Sequence, residues 1–390
     1  MNILGINAFH ADASACLIQD GRLVAAVEEE RFLRIKHWAG FPTQSIQFCL
    51  KAAGISVDQL DHIALNRDPK AHWLEKAIYA FSKKPDLSIV MERAKNAAKI
   101  NDIKSIFSQA MGVSSRDIRA QVHHIEHHRA HLASAFFVSG FDEAAVVSVD
   151  GFGDFVSMMW GTGGKHRISC RDSVSFPHSL GLFYLAFTQY LGFSNYGDEY
   201  KVMGLAPYGQ ATEIEKMRRI VHLLPKGKFK LDLNFFLHHS EGVSMVWEKG
   251  EPVIGRAYSK AMESLFGSAR KPQEPLSQHH KNIAASVQAM YEEAFFHILK
   301  YVHQQTRQSS LCLAGGCAMN SVANGKIFEK TGFKDVYIQC AAGDAGGAIG
   351  AAYSVWNETL GNSQAFKMDH AYLGPAFSEE EISLQLAACS

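Results

Sequence analysis

The sequence predicts an α/β fold of two similar lobes around a central cleft, and three features carry that prediction. The first 66 residues run strand, strand, strand, helix, strand; a second strand pair opens at Ala144 across a glycine-rich turn; and two late apolar strands each break into a glycine turn and then a helix. With 390 residues and 47% hydrophobic content, the chain has enough apolar material for two domains or lobes with substantial cores.

The elements follow in order. Asn2–Asn7, Ala13–Ile18 and Arg22–Val27 are short apolar strands, and Asp20-Gly21 supplies the tight turn between the last two. A helix is expected over Thr43–Ala53 and a further strand over His62–Asn66. This order resembles the ribonuclease-H-like lobe of the actin, sugar-kinase and Hsp70 superfamily. The chain is therefore expected to hold two such lobes. The first would occupy residues 1–143, with a polar helical insertion near 70–115 that includes Met91–Lys99. The second would occupy residues 144–366, with strands over 144–149 and 155–161, an insertion near 210–275 marked by the turn signals Pro225–Gly227 and Lys249–Pro252, a long amphipathic helix over His279–Gln305 and a buried strand over Ser310–Leu313. Residues 367–390 read as a linker followed by one short amphipathic helix.

Composition excludes several classes. Thirty-nine basic residues balance thirty-nine acidic ones, which argues against nucleic acid or an acidic membrane surface as a partner. The amino-terminal strand has no basic segment leading into an apolar one, and no apolar run approaches the length of a bilayer span, so a cytoplasmic protein is expected. The seven cysteines are scattered without a CxxC pair and read as core residues in a reducing compartment.

The stretch His127-His128-Arg129-Ala130-His131 carries the first chemical signal. If residues 127–139 are helical, His127 and His131 lie one turn apart on one face, roughly 5–6 Å apart at Cβ, which is chelating distance. Asp150 falls at the carboxyl end of the apolar run 144–149, where α/β proteins collect ligands. A mixed imidazole and carboxylate set favours iron, zinc or manganese over calcium. The run Leu311–Asn320 is a strand that enters a turn at Gly315-Gly316, where bare backbone amides and a helix start suit phosphate or adenosine. Val336–Gly350 repeats the device with Gly343, Gly346 and Gly347, and sets Asp344 at the turn as a fourth ligand candidate. Gly151 and Gly153, next to Asp150, join these as nucleotide-facing candidates.

Five motifs in a fixed order look like the O-carbamoyltransferases, a family that includes the nodulation-factor, tobramycin and cephem carbamoyltransferases. They are His127–His131, Ser148–Asp154, Gly197–Gly209, Leu313–Asn320 and Gly343–Ala348, and the resemblance extends from Met1 to about Phe377 through Glu28–Phe32 and Arg34–Pro42. The first domain of that family is similar to the transferase that installs threonylcarbamoyl on tRNA. The resemblance implies iron bound by His127, His131, Asp150 and Asp344, beside a carbamoyl-adenylate made from carbamoyl phosphate and ATP. In that chemistry an alcohol attacks the carbamoyl carbonyl and AMP departs, and a metal stabilises the departing charge. Lys36 is then a candidate cation for the carbamoyl or phosphate oxygens. His10, in the turn after the first strand with Asp12, is a candidate proton acceptor or orienting group. Lys201 and Asp198 are assigned to the acceptor side, and Asn320 to ribose or base. The family carries a second, activating domain, and Ala371–Phe377 resembles the linker that enters it, so adenylate synthesis is expected to reside in a separate domain or subunit. Two rivals stand beside carbamoyl transfer to a sugar-like or secondary-metabolite hydroxyl: phosphoryl transfer or ATP hydrolysis on the same fold, and a nucleotide-binding remnant without activity.

Overall fold

The computed structural model describes residues 1–83, 102–240, 245–246, 250, 252–363 and 366–389, so Met91–Lys99 lies outside the described residues, as do parts of the Lys249–Pro252 turn. The first sheet consists of β1 (Asn2–Asn7), β2 (Ser14–Gln19), β3 (Arg22–Glu28), β4 (His62–Leu65) and β5 (Gln121–His124), in the order β3-β2-β1-β4-β5. Strands β1 to β3 are antiparallel, and β4 and β5 run parallel to β1. The second sheet is built from β6 (Glu143–Gly153), β7 (Val156–Gly164) and β8 (Arg167–Ser175). Two small hairpins follow, β9 (Val221–Leu224) with β10 (Lys228–Leu231) and β11 (Met245–Val246) with β12 (Val253–Ile254), before the sheet is completed by β13 (Ser310–Ala314) and β14 (Asp335–Ile338). Its order is β14-β13-β6-β7-β8, with β13 parallel to β6 and β14 parallel to β13. Read outward from β1 and from β6, the two sheets have the same topology. The two similar α/β lobes expected from the sequence are therefore both present.

Strands β5 and β8 do not stand out in the sequence. Gln121–His124 and Arg167–Ser175 are edge strands that are buried at few positions, so neither carries a continuous apolar run. The expected helix over 127–139 ends at Phe136. The cysteines divide: Cys16, Cys49 and Cys312 are buried, whereas Cys170, Cys340 and Cys389 are exposed, which corrects the reading of all seven as core. Cys170 sits on edge strand β8, where alternate side chains face solvent.

Two helices lie between the sheets. The histidine helix, His127–Phe136, packs on β6 and β13, and the glycine helix, Gly346–Tyr353, packs on β1, β2 and β4. Glycine lets the two cross closely, since a Cβ at Gly350 would lie 1.7 Å from the carbonyl oxygen of Ala130; at Gly347 a Cβ would instead lie 2.2 Å from Asn66 Nδ2, just after β4. The histidine helix is buried from His127 to Phe136 apart from Arg129, so its histidines are interior groups and not a solvated face. Among the described residues, no helix is long and apolar enough to cross a membrane.

Candidate functional site

The histidine helix, the end of β6 and the turn before the glycine helix converge on one point. His127 and His131 come from the first, Asp150 from the second and Asp344 from the third. His127 Nε2 lies 3.0 Å from His131 Nε2, 3.2 Å from Asp150 Oδ2 and 3.5 Å from Asp344 Oδ1. His131 Nε2 is 3.6 Å from Asp150 Oδ2 and 3.5 Å from Asp344 Oδ1. The four ligand atoms lie within 4.8 Å of one another, and all four residues are buried. Ligands at roughly 2.0–2.2 Å from one metal ion are separated by roughly 3.0–3.5 Å, so this donor set fits a single first-row ion in spacing as well as in chemistry.

Each ligand is held by groups behind it. Glu126 caps the histidine helix, accepting from Arg129 N at 2.7 Å. Asp154 accepts from His127 N at 3.0 Å and Asp68 N at 2.8 Å, which ties the helix to the β6–β7 turn. Gly153 leaves space for the imidazole: a Cβ there would lie 2.0 Å from the His127 ring. Gly316 N donates to Asp150 Oδ1 at 2.7 Å and so fixes that carboxylate. Between the two ligand histidines, His128 Nδ1 meets Ser148 Oγ at 2.7 Å and its Nε2 meets the Val156 carbonyl at 2.9 Å. Burial pushes His128 down to about 4, so it is a neutral core histidine.

The electrostatics are those of two buried carboxylates seeking positive charge. Burial pushes Asp150 up, yet hydrogen bonds from His127 and His131 hold it well below the usual carboxylate range. Asp344 is likewise lowered against burial, by the charge and hydrogen bond of His10 and by His131. Burial opposes charge on His131, but the same two aspartates raise it to about 10. His10 is also raised: Asp344, with which its Nδ1 forms an ion pair, outweighs burial.

Asp150 and Asp344 form part of the wall of a cavity of about 410 Å³. Of the residues singled out in the sequence, His10, Asp12, Gly151, Gly316, Asn320 and Gly343 also line it. Others lie elsewhere. Lys36 is exposed and does not line the cavity. Lys201 pairs with Asp198 at 2.7 Å. Asn320 borders the cavity, but its amide caps Ala323 N and exchanges hydrogen bonds with Gln288 at 2.9 and 3.0 Å. Gly315, at φ +92°, is required because a Cβ would meet the Val149 carbonyl oxygen at 2.3 Å, and Gly346 packs equally tightly on that of Ala341. Sequence reasoning missed His37, Tyr196, Glu199, Tyr184 and Tyr291, all of which line the cavity. His37 was within reach, since it lies inside the Arg34–Pro42 motif.

A duplicated α/β fold thus gathers two histidines and two aspartates that could hold a metal ion, with the two aspartates bordering a cavity. The chain belongs to the carbamoyltransferase family, whose model "Carbamoyltransferase N-terminus" matches residues 2–353. It is 38% identical over 397 residues to an uncharacterized protein of Synechocystis sp., covering 99% of this chain and 62% of that one. It is 33% identical over 388 residues to nodulation protein NolNO of Sinorhizobium fredii, covering 98% and 52%. Nodulation protein NolO of Bradyrhizobium diazoefficiens is 36% identical over 270 residues, covering 68% and 44%. The chain thus spans roughly half the length of these relatives. Among solved structures, it is similar to component A of (R)-2-hydroxyglutaryl-CoA dehydratase from Acidaminococcus fermentans, with a TM-score of 0.46 at 12% identity over 90% of this chain and 96% of that one. HypF from T. kodakarensis gives a TM-score of 0.42 at 14% identity, covering 90% and 47%.

Proposed function

We propose that this chain transfers a carbamoyl group from carbamoyl-adenylate, itself formed from carbamoyl phosphate and ATP, to a hydroxyl of a small sugar-like or secondary-metabolite acceptor. The observation that carries the reading is a buried two-histidine, two-aspartate set whose aspartates form part of the wall of a cavity of about 410 Å³, in a member of the carbamoyltransferase family. That volume lies within the range of small-molecule sites.

His127, His131, Asp150 and Asp344 would hold iron(II), with zinc or manganese as alternatives, and the bound ion would supply positive charge that offsets the charge gathering on the adenylate phosphate. His10 faces the same point from the β1–β2 turn and is oriented by Asp344. Gly151 and Gly343 leave uncluttered backbone at the wall, where an adenylate phosphate can approach. Leu182, Leu185 and Met203 give the cavity an apolar side that keeps water from the mixed anhydride.

Preformed carbamoyl-adenylate tests the reading. Wild-type chain is expected to release AMP and carbamoylate a hydroxyl acceptor, detected by mass spectrometry, and Asp150→Ala is expected to do neither. Transfer or hydrolysis of the γ-phosphate of ATP, with carbamoyl-adenylate left intact, would favour the phosphoryl-transfer rival.

A further inference from the structure

We infer that His37, backed by Asp12, is the group that takes the proton from the attacking acceptor hydroxyl. The inference rests on the transfer reading above and adds a residue to it. His37 lines the cavity from a loop after β3, and its Nδ1 lies 2.7 Å from Asp12 Oδ1. A carboxylate at that distance receives Nδ1–H, which leaves the lone pair of the neutral imidazole on Nε2. Nε2 has no hydrogen-bond partner among the described residues.

The loop is built to hold this geometry. Asp12 and His37 both adopt left-handed backbone, at φ 58° and 56°, which turns their side chains toward each other. Glu30 accepts from His37 N at 2.9 Å and fixes the histidine's own backbone. Tyr196 meets the imidazole edge-on at 5.0 Å. Gly197, at φ +81°, makes room for the ring, since a Cβ there would lie 2.5 Å from Nε2. His10 is less suited to the same task because its Nδ1 is committed to Asp344, a member of the metal donor set. The side chain of His37 is 29% exposed, so it faces the cavity and not the core.

The step balances. As the hydroxyl oxygen forms its bond to the carbamoyl carbon, its proton passes to His37 Nε2. The bond from that carbon to the bridging phosphate oxygen breaks, and its electron pair leaves with AMP. The imidazolium then returns its proton to solvent, and Asp12 stabilises it meanwhile.

Two nucleophiles separate this role from a structural one. The chain is supplied with preformed carbamoyl-adenylate together with glycerol, whose hydroxyls need a base, or hydroxylamine, whose nitrogen attacks at neutral pH without one. Product formation is followed for wild type, His37→Gln and Asp12→Asn. With glycerol, His37→Gln is expected to lose on the order of 10²–10⁴-fold, Asp12→Asn less, and both are expected to keep most of their rate with hydroxylamine. An equal loss with both nucleophiles, or an unchanged glycerol rate in His37→Gln, would overturn the assignment. Wild type that reacts with neither nucleophile would instead overturn the transfer reading itself.

Discussion

The first hairpin of each sheet turns over at the cleft, and the two turns have become different devices on the same topology. The β6–β7 turn carries Asp150, locked by Gly316 N at 2.7 Å, and Asp154, which grips the start of the histidine helix at 3.0 Å. The β1–β2 turn carries His10 and Asp12 and is tied to the Glu30–His37 loop. One turn is closed: its Asp150 is buried beside His127, His131 and Asp344, which are buried too. The other is half-open, with Asp12 and His37 at 19% and 29% side-chain exposure. A metal donor set needs fixed, deprotonated groups cut off from water, whereas a proton carrier needs contact with both substrate and solvent. Under the proposed assignments, burial suits one of these topologically equivalent turns to holding an ion and the other to carrying a proton.

The sharpest way to break this contrast is to remove one wall of the closed device. His131→Ala and Asp344→Ala are expected to reduce metal content from about one ion per chain to near zero by elemental analysis, with the circular dichroism spectrum retained. Unchanged metal would show that the four groups form only a hydrogen-bonded core. Next in size is Gly153→Val, which drives a side chain into the His127 ring. Overpacking of this kind costs about 1–3 kcal/mol, so denaturant titration should show that loss together with weaker metal binding. An unchanged midpoint would mean that the ring has room to move.

The smallest effect lies on the open side. Burial, with the charges of Asp12 and Glu30, pushes Glu28 up to about 6 from an ordinary 4.5. The folded chain therefore holds a proton that the unfolded chain has released between those values, and stability contributed by Glu28 falls as pH rises through that window. Glu28→Gln is expected to flatten the fall, gaining about 1–2 kcal/mol over wild type at neutral pH relative to pH 4.5. Parallel stability curves for the two proteins would contradict it.

The closed device was legible in the sequence, whereas the open one was legible only in part, His10 and Asp12 being singled out and His37 not, for a physical reason. His127 and His131 sit at helical spacing, and Asp150 and Asp344 end apolar runs, so regular backbone periodicity places them. His37 and Asp12 are 25 residues apart and meet through left-handed loop conformations, which no periodicity encodes. Lys36 is its immediate neighbour, yet it points out to solvent. The glycine turns were visible, but their uses were not. A bare Cα looks the same in sequence whether it admits a phosphate or, as at Gly346, another chain segment's carbonyl oxygen. The duplicated sheet was foreseen from its central strands, whereas its edges, β5 and β8, were hidden by their polar composition.

Anomalous diffraction from crystals of the wild-type chain, grown with iron(II) and carbamoyl-adenylate, tests the central claim most directly. The expected result is one peak roughly 2.0–2.2 Å from His127 Nε2, His131 Nε2 and a carboxylate oxygen each of Asp150 and Asp344, with the adenylate phosphate in the adjoining cavity. A cavity holding the adenylate while the four side chains keep only their mutual hydrogen bonds and show no anomalous signal would contradict it.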